Sequence, residues 1–230
     1  MLVVPHVVVH DGDSIFGDGS PYEVARTLVA SGARAIALRD VEGELATSPA
    51  VPTWVGPFVQ GVGVPVHLDA SLVDAAGIER MSRLGFASVT VGMGAVFDTM
   101  TLRWALDLLG PARLVVELAS DGDHLYDPPA NQFDMELVAA AKRLQQLGVH
   151  RVLVRDVTGV ELPLMRLQQL CRAVTMQVRY SGIVRSLGDV EELTVVGPQL
   201  EMIFVGEPVY DGRLDLAKAN QIAGRAAQGE

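Results

Sequence analysis

The sequence predicts an α/β fold, a single (β/α)8 TIM barrel over residues 1–230 that is built from two related halves. Eight short, β-branched apolar segments alternate with eight amphipathic ones, which is typical of parallel β-α-β units. A strand ending in Val-Gly closes such a unit twice, at Val91-Gly92 and at Val205-Gly206, about half a chain apart. The 230 residues are 49% hydrophobic and contain no linker-like stretch, so we expect one large aliphatic core. An open doubly wound sheet would use the same elements, but the regular spacing of the units and the internal repeat favour a closed barrel.

The predicted strands are short runs rich in Val, Leu and Ile. The first, Leu2–Val9, is interrupted only by Pro5 and His6, as expected for a strand that is buried on both faces. In chain order the predicted strands are Leu2–Val9, Ala35–Leu38, Pro65–Leu68, Ser88–Val91, Leu114–Leu118, Arg151–Val154, Met176–Ser181 and Met202–Val205.

Each predicted strand is followed by a helical pattern. The first helix opens with Ser20 as its cap, Pro21 in its first turn and Glu23 as an early acidic residue, and it ends at Ser31-Gly32. A loop rich in Gly, Ser and Pro follows the second strand, and a long polar loop is predicted over Ser120–Gln132. After the first helix, the predicted helices are Pro52–Gln60, Ser71–Leu84, Thr99–Leu109, Asp134–Leu147, Leu164–Val174, Ser186–Val195 and Leu214–Ala227.

Composition excludes several classes of partner. The formal net charge of -10 and the pI of about 4.9 argue against nucleic acid and anionic membranes, although local arginines and helix N-termini can still bind a phosphate. The single cysteine, Cys171, cannot form an internal disulfide, which fits a reducing cytoplasm. The start of the chain lacks a basic signal-peptide region, and no apolar run approaches the roughly 18 residues of a membrane span. We therefore expect a cytoplasmic protein.

Functional residues of such a barrel are expected at the carboxyl ends of its strands. Small residues after the seventh strand lead to a helix start, where backbone N–H groups and the helix dipole favour an anion. The predicted phosphate-binding residues are Ser181, Gly182, Arg185 and Gly206. The ordinary alternative is that Ser186 only caps the helix, with Asp189 three residues further on.

Charged side chains also gather at the strand ends. An unpaired ion in a protein interior costs several kcal/mol, so we expect these side chains to pair with one another inside the upper barrel. They are Arg39, Asp40, Glu117, Arg155, Asp156 and Arg179. By contrast, Asp121, Asp123, His124 and Asp127 match no strong metal-ligand spacing and are typical of a solvated turn, so we predict no metal.

Four stretches of the chain resemble the histidine-biosynthesis barrels. They are Pro5 with Asp11-Gly12, Ser31-Gly32-Ala33 with Arg39-Asp40-Val41-Glu42-Gly43, Ser181–Asp189, and Val205-Gly206 with Tyr210-Asp211-Gly212. The resemblance covers essentially the whole length and is closer to phosphoribosylformimino-AICAR-ribotide (ProFAR) isomerase than to the cyclase subunit of imidazole-glycerol-phosphate synthase. It implies a substrate with two phosphates and an aldose-to-ketose Amadori rearrangement. It also implies a carboxylate base, a carboxylate acid and no cofactor, and actinobacterial relatives also act on phosphoribosylanthranilate.

The positions that this resemblance makes catalytic have lost carboxylates. The family's P-A-I-D-L aligns on residues 5–9, so its base position is Val8. The family's fifth-strand L-D aligns on Leu118-Ala119. In its T-D-x-x-x-D-G loop Asp156 remains, while the second aspartate is absent or replaced by Thr158. The family's phosphate-binding positions are altered as well, and carry Asp69, Met93, Ile183 and Glu207.

Three other residues are candidates for relocated acid-base chemistry, namely His10, Glu117 and Asp156. His10 and Glu117 each lie two residues from a lost carboxylate position, Val8 and Ala119 respectively, on the same face of the strand. Histidine titrates near neutrality and burial raises the pKa of a glutamate, so the pair suits proton transfer. The alternative is that His10 is a loop residue and that Glu117 pairs with Arg155 or Arg39 as core electrostatics.

Two functional hypotheses follow. The first is a ProFAR-isomerase-like barrel without the ancestral activity, which binds an altered phosphorylated small molecule or a protein partner, or serves regulation. The alternative is an active isomerase of histidine or tryptophan synthesis whose acid and base have moved.

Overall fold

The computed structural model describes residues 1–41, 51–72, 74–127 and 131–226, apart from the side chains at 95, 96, 127, 131–134 and 226. The predicted Gly/Ser/Pro-rich loop over 42–50, the Glu42-Gly43 part of the resemblance, Val73 and Ala227 lie outside the described residues.

Eight parallel strands close into the predicted barrel. In chain order the strands are β1 (Leu2–His10), β2 (Asp13–Ser14), β3 (Ile36–Asp40), β4 (Val66–Leu72), β5 (Ser88–Val91), β6 (Leu114–Ser120), β7 (His124–Asp127), β8 (Asn131–Glu136), β9 (Arg151–Asp156), β10 (Gln177–Ser181) and β11 (Leu200–Val205). The barrel order is β1-β3-β4-β5-β6-β9-β10-β11. The barrel closes because β11 pairs in parallel with β1, from Leu2 opposite Met202 to Pro5 opposite Val205. The Val3 N–H also donates to Asn220 Oδ1 at 3.1 Å, which ties β1 to the last helix.

Helices surround the strands. They are α1 (Pro21–Ala30), α2 (Val55–Gly61), α3 (Ala75–Ser82), α4 (Gly94–Phe97), α5 (Thr99–Leu109), α6 (Leu137–Gln146), α7 (Leu164–Ala173), α8 (Leu187–Thr194), α9 (Glu207–Tyr210) and α10 (Leu216–Ala226). The predicted start of α1 is confirmed as a capping box between Ser20 and Glu23. The four-residue helices α4 and α9 were not predicted. They follow β5 and β11, the two strands that end in the repeated Val-Gly sequence. Their positions therefore agree with the half-barrel repeat.

The segment after β6 differs from the prediction of a polar loop and a helix from Asp134. Instead, β7 and β8 form an antiparallel hairpin, and β7 pairs with β6 through Leu125 opposite Ser120. Leu125 is fully buried, and α6 begins only at Leu137, whose N–H donates to the Asp123 carbonyl at 2.9 Å. Strand pairing between distant residues overrode the local helical pattern here.

The third predicted helix also starts later than expected. The predicted residue Ser71 remains in β4, with a left-handed φ of 46°, and Leu72 ends the strand. Helix α3 is capped by Asp74, whose Oδ1 accepts a hydrogen bond from the Gly77 N–H at 2.6 Å. This extension of β4 keeps the Ser71 hydroxyl at the mouth of the barrel.

In the part of the chain that the structure describes, apolar residues form two clusters, one between strands and helices and one inside the barrel. On β1, Val3 and Val7 belong to the outer cluster and Val4 to the inner one, as the two-residue period of a strand requires. The inner cluster consists of Val4, Ala35, Ala37, Val115, Leu153 and Phe204. This layer closes the centre of the barrel, so the strand residues beyond it form the mouth. Among the described helices, none has the length and apolar character to cross a bilayer.

Candidate functional site

Arg155 organises the mouth of the barrel. It lies near the end of β9, opposite Ala119 of β6 and Ser181 of β10. Its Nε donates to Glu117 Oε1 at 2.9 Å, and its Nη2 donates to Asp69 Oδ1 at 2.5 Å and to Glu117 Oε2 at 3.3 Å. Its Nη1 donates to Ser181 Oγ at 3.2 Å. One guanidinium therefore binds two carboxylates, from β4 and β6, and a hydroxyl from β10.

The carboxylate of Asp69 is ionised and fully committed to this network. Burial alone would raise its pKa, but the charge of Arg155 and the hydrogen bond from His6 hold it well below its usual range. For Arg155, the two carboxylates outweigh burial and raise the pKa. Burial lowers the pKa of His6 against the opposing effect of Asp69. Because an ionised carboxylate only accepts, His6 Nε2 carries the proton of their 3.0 Å hydrogen bond.

Two further hydroxyl groups support the network from outside. The Ser71 hydroxyl donates to Glu117 Oε2, so this carboxylate is held from both β4 and β9. The Tyr210 hydroxyl, at the end of α9, donates to the backbone carbonyl of His6 at 2.6 Å. The positions of both ion-paired carboxylates are therefore fixed by several elements, which favours a rigid site.

A cavity of about 430 Å³ lies over Arg155 and His6. Strand ends contribute polar groups to its wall, and the segments after β2, β3 and β9 contribute apolar ones. The lining residues are His6, Val8, Ile15, Phe16, Arg39, Val41, Arg155, Asp156, Val157, Ser181, Gly182, Phe204 and Gly206. Burial and then the charge of Arg155 lower the pKa of Arg39, while Asp69 and Glu117 oppose them.

The three candidate catalytic residues occupy different surroundings. Glu117 is buried and bound to Arg155, as the alternative based on core electrostatics proposed. The His10 side chain is about half exposed, and its Nε2 lies 3.7 Å from Asp11 Oδ2. Asp156 lines the cavity. The assignment of His10, Glu117 and Asp156 to catalysis stays a prediction, and the structure gives Glu117 a structural role as an ion-pair partner.

Thr158 has a contact that the sequence did not predict. Its N–H and its hydroxyl both donate to Asp156 Oδ1, at 2.9 Å and 2.7 Å. The other carboxylate oxygen, Oδ2, is buried. Thr158, which replaces the second aspartate of the family loop, therefore holds Asp156, the aspartate that is retained, in place.

The predicted phosphate-binding residues do not share one surface. Ser181, Gly182 and Gly206 line the cavity, whereas the Arg185 guanidinium donates to the Val160 carbonyl at 3.1 Å. Gly182 is exposed but leaves no room for a side chain, since an added Cβ would lie 2.9 Å from Asp156 Cβ. Phosphate binding at these residues stays a prediction.

The start of α8 follows the ordinary capping alternative. Ser186 Oγ accepts a hydrogen bond from the Asp189 N–H at 3.3 Å. Asp189 Oδ2 accepts from the N–H groups of Arg185 and Ser186 at 2.5 Å and 3.1 Å. A carboxylate of the protein itself therefore takes two of the N–H groups that an anion would need.

The altered family positions are visible in the mouth. Val8 and Ala119 are both buried in the barrel wall, and neither side chain can transfer a proton. Asp69, at a family phosphate position, is 2% exposed and bound to Arg155. Glu207 lies outside this network, 3.4 Å from Arg213 Nη2.

Arg179 was expected in the charged layer at the mouth, and that prediction is wrong. Its Nε donates to Glu201 Oε1 at 2.6 Å and its Nη1 to Ser88 Oγ at 2.7 Å. Ser88 in turn lies 2.8 Å from His67 Nδ1. Since Arg179 lies two residues before Ser181 on the same strand face, its side chain points to a lower layer of the barrel.

His6, Ser71 and His67 were missed as members of these networks. His6 shares a strand face with Val8, and this alternation was the signal that could have placed it in the barrel. Ser71 was missed because the predicted helix included it. The polar contact of His67 gave no comparable signal.

Comparisons with known proteins agree on one family. The sequence profile of a family described as "Histidine biosynthesis protein" matches residues 6–215. The chain is 30% identical over 251 residues to a protein of Thiobacillus denitrificans, with 100% of this chain and 98% of that protein covered. It is 29% identical to a protein of Chromobacterium violaceum, with 99% and 100% covered. Both are named 1-(5-phosphoribosyl)-5-((5-phosphoribosylamino)methylideneamino) imidazole-4-carboxamide isomerase, that is, ProFAR isomerase.

Proposed function

The chain belongs to the histidine biosynthesis protein family. We propose that it is a diverged ProFAR-isomerase-like barrel, and that it has lost the Amadori isomerase activity. Its mouth serves instead to bind a ligand different from the bisphosphate of the named relatives. The observation that carries the proposal is the ion-pair network in which Arg155 holds both Asp69 and Glu117.

The network supports loss of proton transfer because its carboxylates are committed to structure. A general acid or base works best when its pKa lies near the working pH and its oxygen is free to reach the substrate. The pKa of Asp69 is held far below that range, and both oxygens of Glu117 accept hydrogen bonds from Arg155, with Ser71 as a further donor. At the aligned family positions, Val8 and Ala119 carry no titratable group.

The network also disfavours a bisphosphate. The Asp69 carboxylate stands where the resemblance places a phosphate of the substrate, and two negative charges in a poorly hydrated site repel each other strongly. Two N–H groups just before α8, those of Arg185 and Ser186, are already bonded to Asp189.

A second candidate function is an active isomerase with relocated acid and base. It is favoured by Asp156, which lines the cavity and is the one family aspartate that the T-D-x-x-x-D-G loop retains. In this reading Asp156 acts with His10 or Glu117 on a substrate that is bound in a shifted pose.

The deciding experiment measures turnover of ProFAR by the purified protein, with the Thiobacillus denitrificans relative assayed in parallel. Growth of histidine and tryptophan auxotrophs that express each protein is scored alongside. We expect no turnover above the uncatalysed rate and no rescue by this chain.

Rescue at ordinary expression levels would contradict the proposal and favour relocated catalysis. In that case Asp156→Asn and His10→Ala should each lower the rate by about 10²–10⁴-fold. Calorimetry with ProFAR tests binding separately, and we expect no micromolar affinity.

A further inference from the structure

The cavity at the mouth is lined by two guanidinium groups, Arg39 and Arg155, and by the carboxylate of Asp156. Two carboxylates, Asp69 and Glu117, face two guanidinium groups, Arg39 and Arg155, while His6 is buried and its pKa is lowered. The hydrogen bonds of Arg155 use its Nε–H, both Nη2 hydrogens and one Nη1 hydrogen, which leaves one of the five donors of a guanidinium. Arg155 therefore has little capacity for a further anion.

Arg39 is the cation that a ligand can engage. It lines the cavity from the end of β3 and is half-buried. In residues 1–41, 51–72, 74–127 and 131–226, no carboxylate lies within 4.0 Å of its nitrogens as an ion pair. A guanidinium in a partly desolvated wall presents a planar fork that matches one carboxylate.

The entrance to the same cavity is apolar. Ile15, Val41 and Val157 line it and expose 47%, 45% and 38% of their surface. Phe16 and Phe204 continue this apolar lining. Large aliphatic side chains that gather at one cavity mouth form the kind of surface that contacts the apolar part of a ligand.

We propose that the mouth binds a monocarboxylate that carries an aryl or branched aliphatic group. Its carboxylate lies on Arg39, and its apolar group lies among Ile15, Val41 and Val157. This inference rests on the proposed change of ligand and names the class of that ligand. One carboxylate is the anion that the planar fork of Arg39 can bind, and the apolar group replaces water at the exposed aliphatic side chains.

The test is calorimetric titration of the intact protein with phenylacetate as the probe. Phenylacetamide has nearly the same shape without the charge, and inorganic phosphate and ribose 5-phosphate provide anions without an apolar group. We expect saturable binding of phenylacetate, with at least about tenfold weaker binding of phenylacetamide. The two phosphates should not compete with phenylacetate.

Variants test separately the contact of the carboxylate with Arg39 and the contact of the apolar group with the entrance. Arg39→Met should weaken phenylacetate binding at least about tenfold, and Arg39→Lys, which keeps the charge, should weaken it less. Val157→Asp should also weaken binding, because it places a negative charge at the apolar entrance. Arg103→Met, on the exposed face of α5, is the matched control and should leave binding unchanged. Thermal unfolding of each variant shows whether it is folded.

The inference is overturned if phenylacetate does not bind, or if its binding is unchanged in folded Arg39→Met or folded Val157→Asp. Equal binding of phenylacetate and phosphate, or competition between them, would also overturn it. These outcomes are independent of the proposed loss of activity, which only turnover of ProFAR or auxotroph rescue contradicts.

Discussion

At the scale of single residues, the mouth depends on Arg155. Replacing it by Met would leave Asp69 and Glu117 buried without the cation that they share. Removing one partner of a buried ion pair costs about 3–5 kcal/mol, and we expect Arg155→Met to lower the free energy of unfolding by that amount. Urea denaturation followed by circular dichroism measures the loss.

The matched control for this prediction is Arg166→Met. Arg166 Nε lies 2.8 Å from Asp123 Oδ1, but the two side chains are 43% and 66% exposed. Exposed pairs are worth up to about 1 kcal/mol, so the control should lose far less stability. Similar losses in the two variants would show that the Arg155 network does not stabilise the protein.

The sequence predicted part of this network. Paired charges at the strand ends were expected because barrels bring those ends together, and Glu117 with Arg155 was among the named pairs. The bond between His6 and Asp69 was not expected, since the two residues are 63 positions apart and their contact depends on how β1, β3 and β4 are aligned. Strand register is a property of the folded sheet and is only weakly readable from local sequence.

At the scale of elements, the start of α8 is stabilised by its own acidic residue. Asp189→Ala would remove the acceptor for the N–H groups of Arg185 and Ser186. Loss of a capping interaction costs about 0.5–2 kcal/mol. We therefore expect a destabilisation of about 1 kcal/mol in thermal or urea unfolding.

Glu191→Ala is the control on the same helix, because Glu191 is exposed and lies outside the capping box. Its effect should stay within about 0.5 kcal/mol. If Asp189→Ala is equally mild, the capping box contributes nothing measurable.

Element boundaries show where sequence patterns are sufficient. Thr99–Leu109 and the start of α1 were predicted correctly because capping residues and apolar periodicity act locally. The hairpin of β7 and β8 was missed because its polar residues form strands only by pairing with each other and with β6. The repeated Val-Gly strand end, at Val91-Gly92 and Val205-Gly206, predicted the barrel correctly, but it gave no bounds for individual strands or helices.

At the scale of the whole molecule, buried histidines make stability depend on pH. Burial, aided by Arg179 and Arg151, lowers the pKa of His67 to about 3, and burial also lowers the pKa of His6. In the unfolded chain both titrate near about 6.5, so below that pH the unfolded state binds more protons than the native state. Stability should therefore fall as pH falls from about 6.5, by up to about 1.4 kcal/mol per pH unit for each histidine.

Asp69 adds to this loss at lower pH. Its folded pKa is depressed, so the stability it contributes is present above its unfolded pKa of about 4 and is lost below that value. Urea unfolding between about pH 7 and pH 5 therefore measures the effect of the histidines, because the effect of Asp69 begins only below that range.

Over that range His67→Gln should reduce the slope of unfolding free energy against pH. His150→Gln is the control, because His150 is exposed and should leave the slope unchanged. An unaltered slope in His67→Gln would mean that His67 does not remain neutral in the native state.

The closure of β11 onto β1 has a consequence for how the protein is made. During synthesis, β1 emerges first, yet its partner strand and the Asn220 side chain that binds Val3 leave the ribosome some 200 residues later. Until then one edge of β1 presents unpaired N–H and C=O groups in an apolar strand, and such edges promote pairing with other chains. We expect nascent chains stalled before β11 to need a chaperone to stay monomeric, whereas chains released after α10 should not.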